Sequence, residues 1–241
     1  MAPTLNELDH SATPLGELTL RHRRAASLGD VDVHEVLLNG QLLMSSLVNV
    51  SEVALAVEAL GRVDGAFRDV LIGGLGLGYT AVAALDMPGV ASVTVVESLP
   101  AVVRWFEQRL VPLAAPLAQD ERATIIEGDF FAFIGATDDP GAPAAEGRTY
   151  DAILVDIDDS PRHLLTPAHA AFYTPDGLRS AGRHLTVGGV LAIWSAEPPD
   201  DAFTRRLRDV FGSAEALPVV FTNPLFDAVE TNTIYLARRP G

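Results

Sequence analysis

Three glycines stand at alternate positions directly after a short apolar segment, at Gly74, Gly76 and Gly78. Glycine lets the backbone turn sharply and lets a ligand lie against bare main chain. The next apolar segment ends about 20 residues further on at Glu97, where a carboxylate can accept hydrogen bonds from ribose hydroxyls. This pattern predicts a site for a cofactor that contains a nucleoside, and it leaves open which one.

Two later apolar segments also end in acidic residues. Asp129 follows one of them, and Asp156, Asp158 and Asp159 follow the other. The carboxyl ends of parallel strands meet at one edge of a sheet, so we expect Glu97, Asp129 and Asp156 to surround one cavity with the glycine turn. One carboxylate suits a ribose diol, and another can accept from the exocyclic amine of adenine.

The segments that must position these residues predict an α/β protein. Short segments rich in β-branched residues are typical of strands buried on both faces, and the helical patterns between them indicate a parallel sheet with helices on both sides. We expect its strands near residues 70–72, 93–96, 124–126, 153–155 and 190–193, with an edge hairpin at 219–221 and 233–237.

The N-terminal part predicts a small antiparallel β-unit. Its strands are expected at 15–20, 31–38 and 41–45, with Asn39-Gly40 as a tight turn and the first 14 residues loosely held. We therefore divide the chain into residues 1–48 and 49–241. Ser51 is predicted to cap the helix that follows, and residues 135–147 are predicted to form a surface loop.

Composition excludes several classes of protein. The chain has 241 residues, 48% of them hydrophobic, and a formal net charge of −15. Such acidity disfavours nucleic acid and anionic membranes as partners. The chain contains no cysteine, so disulfides, thiolate metal sites and a cysteine nucleophile are excluded. The sequence has no apolar segment of membrane-spanning length and no signal-peptide pattern, which predicts a cytoplasmic protein.

Together these motifs resemble the class I S-adenosylmethionine-dependent methyltransferases, and more closely their spermidine-synthase-like branch. The resemblance is carried by Leu71-Ile-Gly-Gly-Leu-Gly-Leu-Gly78, Val95-Val-Glu97, Glu127-Gly-Asp129 and Tyr150-Asp-Ala-Ile-Leu-Val-Asp-Ile-Asp-Asp159. It implies a Rossmann-like methyltransferase fold, with a mostly parallel seven-stranded sheet that ends in an antiparallel hairpin and is preceded by a small β-unit. It also implies a homodimer.

The resemblance assigns roles to the candidate residues. Glu97 would bind the ribose hydroxyls and Asp129 the adenine amine. Asp156 would face the transferred group and the acceptor amine. The glycine turn would approach the amino-acid or thioether part of the cofactor through Gly73, Gly74, Gly76 and Gly78.

Two departures from the branch bear on the reaction. Its aminopropyltransferases carry an Asp in the glycine turn that holds the amino end of decarboxylated S-adenosylmethionine, and here that position is Gly76. Glycine offers no ion pair, whereas the backbone N–H groups of a glycine turn can donate hydrogen bonds to the carboxylate of the intact cofactor. In the N-terminal part, the Gln and Tyr of the polyamine site fall on Leu43 and Glu52.

These observations favour S-adenosylmethionine-dependent methyl transfer to a small-molecule amine or hydroxyl acceptor, which could be cationic. In-line transfer from a sulfonium needs alignment and a base. Asp156 is the candidate base, Asp159 could hold a cationic acceptor, and Asp158 is expected to point away. His163 and His169 are weaker candidates for a base, with a surface or capping role as the alternative.

Other functions stay open. A polyamine aminopropyltransferase that uses decarboxylated S-adenosylmethionine is the first alternative, and a non-catalytic cofactor-binding homologue is the second. The run Val155-Asp-Ile-Asp-Asp159 also resembles the Asp-rich loop of cation-dependent O-methyltransferases. The region that should complete such a metal site offers only Glu197, so no metal is predicted.

Overall fold

The computed structural model describes residues 5–66, 68–135, 147–224 and 227–241. Its first four strands form an antiparallel sheet in chain order: β1 (Leu5–Thr13), β2 (Gly16–Ala25), β3 (Val31–Leu38) and β4 (Gln41–Ser45). The Asn39-Gly40 turn is confirmed, because both residues have positive φ angles of 52° and 78°, as a tight hairpin turn requires. We call these four strands the N-terminal sheet.

The prediction that the first 14 residues are loosely held is wrong for Leu5–Thr13, whereas residues 1–4 lie outside the described residues. Strand β1 pairs with β2 from Leu5 opposite Arg23 to Thr13 opposite Gly16. Contacts distant in sequence also hold β1, since the indole N–H of Trp105 donates to Asp9 over 2.8 Å. The polar composition of β1 gave no local sign of a strand, because tertiary contacts fix this segment.

The second sheet has seven strands. They are β5 (Arg68–Gly73), β6 (Val90–Glu97), β7 (Ala123–Glu127), β8 (Tyr150–Val155), β9 (Leu185–Ser195), β10 (Ala214–Asn223) and β11 (Ala228–Arg238). Their spatial order is β10-β11-β9-β8-β5-β6-β7, and β5 to β9 are mutually parallel. The last two strands form an antiparallel edge hairpin. The predicted methyltransferase-like α/β fold is therefore confirmed.

Helices cover both faces of this sheet. They are α1 (Val50–Leu60), α2 (Tyr79–Asp86), α3 (Pro100–Glu107), α4 (Ala114–Gln119), α5 (Phe130–Phe133), α6 (Pro175–Arg183) and α7 (Asp201–Phe211). Short 3₁₀ turns lie at Ala26–Leu28 and Pro167–Ala171. Most of the predicted 135–147 loop, residues 136–146, lies outside the described residues. None of the described helices is long and apolar enough to span a bilayer.

Alternate residues of the parallel strands bury into two separate cores. Val70 and Ile72 of β5 belong to the core beneath α1, α2 and α3, whereas Leu71 packs in the core with Phe130 and Phe131. This period of two follows from the pleat of a strand. Because both faces are covered, ligand access is concentrated at the strand ends.

Candidate active site

A cavity of about 310 Å³ opens at the carboxyl ends of β5, β6 and β8, beneath the N-terminal sheet. This volume lies within the range of small-molecule sites. The structure brings most of the predicted site residues to its wall, namely Gly74, Gly76, Gly78, Glu97, Asp129, Asp156 and Asp159. The predicted convergence of three strand-end carboxyl groups on one cavity is therefore present.

The glycine turn is built on three left-handed residues. Gly74, Gly76 and Gly78 have φ angles of 90°, 51° and 91°. A Cβ atom on Gly74 would lie 2.2 Å from the carbonyl oxygen of Asp156, so glycine is required where these two strand ends meet. At Gly76 the nearest atom to an added Cβ would be the sulfur of Met44, at 3.3 Å. The cavity wall at this turn is therefore bare, uncharged backbone.

Gly73 has a different role from the one predicted. It does not line the cavity, and a Cβ atom there would lie 2.5 Å from the ring of Phe130. Its carbonyl accepts from the N–H of Asp156 over 2.9 Å. Successive strand residues point to opposite faces, so this glycine provides room for Phe130 and not for a ligand.

Glu97 is held by the backbone of the neighbouring loops. Its side chain accepts from the N–H of Leu75 (2.9 Å) and of Leu99 (2.8 Å), one on each oxygen, and the residue is only 7% exposed. Burial raises the pKa of Glu97, and the backbone N–H groups oppose that rise. The backbone N–H groups of Gly76 and Ser98 also lower the pKa of Glu97, so the two loops together fix this carboxyl group at the cavity wall.

Asp129 combines a capping role with a place on the cavity wall. Its Oδ1 accepts from the N–H of Phe131 (2.8 Å) and of Ala132 (3.4 Å) and so caps the single turn of α5. Capping fixes the carboxyl group at the cavity rim. The second oxygen makes none of the hydrogen bonds found within the described ranges, which leaves an acceptor for a ligand.

Asp156 lies where β8 passes the glycine turn. The hydroxyl of Thr80 donates to its Oδ2 over 2.6 Å. Burial raises the pKa of Asp156 to about 6, although the bond from Thr80 opposes this. A carboxyl group with this pKa changes protonation close to neutral pH, as a general base requires. Burial, and then repulsion from Asp158, also raise the pKa of Asp159 on the same wall.

Glu52 is a cavity residue to which the motif analysis gave no role. It stands on α1, and its carboxyl group accepts from the Ser51 hydroxyl over 2.8 Å. Ser51 therefore does not cap the helix as predicted, since Asn49 occupies the N-cap position. Burial, and then repulsion from Asp156, raise the pKa of Glu52 to about 7. The signal in the sequence was the alignment of Glu52 with the Tyr of the branch's polyamine site.

Asp158 points away from the cavity, as expected, and orients a residue that does line it. Its buried carboxyl group accepts from the hydroxyl of Tyr173 (2.9 Å) and lies 2.8 Å from Nδ1 of His169. The ring of His169 lies on the cavity wall against Phe131, with centroids 4.5 Å apart. His163 differs, because its exposed ring pairs with Glu197 over 3.1 Å.

The cavity wall is strongly acidic. Five carboxyl groups line it, those of Glu52, Glu97, Asp129, Asp156 and Asp159. Within the described ranges, none of the lining residues is an arginine or lysine. Apolar residues from the N-terminal part also line the cavity, namely Leu15 in the turn between β1 and β2, and Leu18, Val36, Leu43 and Met44 of the N-terminal sheet. This arrangement favours a cationic ligand with an apolar body.

A bound metal ion needs several His, Asp or Glu side chains that converge on one point. The described part of the chain contains no group of three or more such side chains in that arrangement.

Comparison with known proteins places this geometry in context. No family model matches the chain. A curated protein, putrescine N-methyltransferase 2 from Nicotiana attenuata, is 30% identical over 140 residues, which cover 56% of this chain. The match spans about a third (34%) of that relative's length.

Solved structures are similar over nearly the whole chain. A spermidine synthase in complex with the transition-state analogue AdoDATO has a TM-score of 0.72 at 16% identity, covering 97% of this chain and 73% of that one. Spermidine synthase from Thermotoga maritima has a TM-score of 0.71 at 16% identity, covering 97% of this chain and 72% of that one. Human methyltransferase-like protein 13 in complex with SAH has a TM-score of 0.54 at 19% identity, covering 79% of this chain and 80% of that one. The chain thus has the fold of these proteins and resembles the spermidine-synthase-like branch, as its sequence predicted.

Proposed function

We propose that this protein transfers a methyl group from S-adenosylmethionine to a small-molecule amine that enters the cavity as a cation. When bound, the sulfonium supplies the methyl group, and its C–S bond breaks as the N–C bond forms. The chain itself binds and aligns both partners and takes the proton that the amine must lose. A cofactor of the S-adenosylmethionine type is also supported by the relatives, whose names include a methyltransferase and complexes with AdoDATO and SAH.

The observation that carries the choice of methyl transfer is the uncharged turn at Gly76. An aminopropyl donor ends in an ammonium group, which needs a carboxylate beside it. Gly76 has no side chain, so the turn itself supplies no carboxylate at the position where the aminopropyltransferases carry one. Backbone N–H groups of a glycine turn suit the carboxylate of intact S-adenosylmethionine instead. The 30% identity to a putrescine N-methyltransferase agrees with this choice.

Aminopropyl transfer is the second candidate. The coverage of 97% of this chain by spermidine synthase structures favours it. Titration calorimetry with intact and with decarboxylated S-adenosylmethionine separates the two, and we expect tighter binding of the intact form. Mass spectrometry after incubation with S-adenosylmethionine and a panel of amines, putrescine first, should then show a gain of one methyl group. Preference for the decarboxylated form, or an aminopropyl product, would reverse the ranking.

Glu97→Gln should weaken cofactor binding by about 10- to 100-fold, corresponding to a charge-assisted hydrogen bond of about 1.5–3 kcal/mol. Glutamine has one acceptor oxygen, whereas Glu97 uses both against the N–H groups of Leu75 and Leu99. In the variant an amide N–H would face one of those N–H donors. Calorimetry with S-adenosylmethionine measures the loss, with Glu107→Gln on α3 as the control. Unchanged affinity would remove Glu97 from the ribose site.

A further inference from the structure

Glu52 and Asp156 face the same cavity from different elements, α1 and the end of β8. Thr80 joins the two elements: its hydroxyl lies 2.6 Å from Oδ2 of Asp156 and 3.4 Å from the carbonyl oxygen of Glu52. The sequence motifs give catalytic roles to Asp156 and Asp159 and none to Glu52.

Glu52 is held by a short chain of buried polar groups. The amide of Asn232 on β11 donates to the Ser51 hydroxyl over 2.8 Å, and that hydroxyl donates to Oε2 of Glu52 over 2.8 Å. Ser51 is 1% exposed and Asn232 is 8% exposed. Buried polar groups that satisfy one another fix a single side-chain conformation. The carboxyl group of Glu52 is therefore positioned at the cavity by contacts between α1 and β11.

No cation compensates this pair within the described part of the chain. The other groups on the wall are the acids Glu97, Asp129 and Asp159, the phenol of Tyr79 and the ring of His169. The charge of Glu52 itself contributes to raising the pKa of Tyr79, after the larger effect of burial. Two carboxyl groups that line one cavity, are linked through Thr80 and have no cation beside them cannot both ionise freely, so they titrate as one system.

We propose that Glu52 and Asp156 share one proton and act together as the base that takes the proton of the acceptor's ammonium group. This inference rests on the proposed function. One N–H bond of the ammonium breaks and an O–H bond forms on the pair. The freed amine lone pair then forms the N–C bond, and the C–S electron pair leaves on the sulfur. The proton on the pair passes to solvent when the product leaves.

The pair can be tested without any substrate, by carbon-13 NMR titration of the carboxyl groups in the intact protein. We expect midpoints of about 7 for Glu52 and about 6 for Asp156. Asp156→Asn should lower the midpoint of Glu52, because the repulsion from the Asp156 carboxylate is then gone. Glu58→Gln on the same helix, whose carboxyl group pairs with Arg62 and does not line the cavity, should change neither midpoint.

Ser51→Ala provides a second test, because it should change the pKa of Glu52 in a defined direction. The bond from Ser51 lowers the pKa of Glu52, so its loss should raise that midpoint above its wild-type value. Ordinary midpoints near 4 for both wild-type carboxyl groups, or a Glu52 midpoint that Asp156→Asn leaves unchanged, would overturn the inference. Neither readout depends on turnover, so each decides on the pair even if the proposed reaction fails.

Stability should follow the same titration. The folded-state pKa of Glu52 lies above its ordinary value of 4.5, so protonation stabilises the folded protein below about pH 4.5. That contribution is lost as the pH rises through about 7. Thermal unfolding should therefore show wild type losing more melting temperature between pH 5 and pH 8 than Glu52→Gln, by a few degrees. Parallel curves for the two proteins would contradict the shared proton.

The kinetic test uses S-adenosylmethionine and putrescine. Wild-type kcat should rise with pH around 6 to 7, as the pair loses its proton. In Glu52→Gln the rise should move to lower pH, and the plateau should fall at least about 10-fold, since Asp156 alone is a weaker base. An unmoved pH profile would overturn the inference. Absence of any methylated amine with wild type is a different result and contradicts the proposed function.

Discussion

Asp156→Asn is expected to lower kcat for methyl transfer by about 100- to 10,000-fold, the usual contribution of a general base. The amide cannot take a proton from the acceptor, whatever the pH. It can still accept the hydrogen bond from Thr80, so the strand end and the glycine turn should keep their geometry. The dissociation constant for S-adenosylmethionine should therefore stay within a few-fold of wild type.

Steady-state kinetics and calorimetry on the same preparation separate these effects. Asp176→Asn is the matched control, because the side chain of Asp176 is 95% exposed on α6 and does not line the cavity. The two substitutions are chemically identical, so any general effect of removing one negative charge appears in both. Retention of more than about a tenth of kcat by Asp156→Asn would remove this carboxyl group from the chemical step.

Local sequence patterns were sufficient for the sheet and for the turn that carries the site. Runs such as Val70–Ile72 and Ile153–Val155 are strands because their residues bury into two cores at once. Gly74, Gly76 and Gly78 after a strand predict a sharp turn with positive φ angles. Acidic residues at the carboxyl ends of parallel strands lie along the same edge of the sheet. These features depend on short-range order in the chain.

Residues brought to the cavity by tertiary contacts were harder to predict. Glu52 reaches the wall because α1 packs beside α2, and its orientation depends on Asn232, 180 residues away from it in sequence (232 − 52 = 180). His169 is placed by buried Asp158. Gly73 and Gly74 are neighbours, yet one accommodates a phenylalanine ring and the other a backbone carbonyl. The spacing of residues in the sequence does not show which face of the sheet each one occupies, because side-chain packing decides this.

The N-terminal sheet and the parallel sheet contribute different groups to the cavity. Leu43 and Met44 belong to the N-terminal sheet, whereas Asp156 directly follows β8. In the proposed reaction, changes in the N-terminal sheet should therefore alter which acceptor fits without moving the carboxyl group of Asp156.

Gly74→Ala should be the most damaging single-methyl change in the turn, lowering the free energy of unfolding by about 3 kcal/mol or more. Two penalties combine. A φ of 90° is strained for alanine, and the new methyl carbon would lie 2.2 Å from the carbonyl oxygen of Asp156. Relief requires β5 and β8 to separate at the point where the cavity begins, so S-adenosylmethionine binding should be lost as well.

Gly65→Ala isolates the strain from the clash. Gly65 has a φ of 98°, close to that of Gly74, but an added Cβ would meet no atom within 4 Å. We expect this control to lose only about 1–2 kcal/mol and to bind cofactor normally. Urea unfolding of both variants gives the difference, provided that the slopes of the two transitions agree. Equal stability losses would mean that the strand ends can move apart at little cost, and the rigid contact between Gly74 and Asp156 would then not define the cavity.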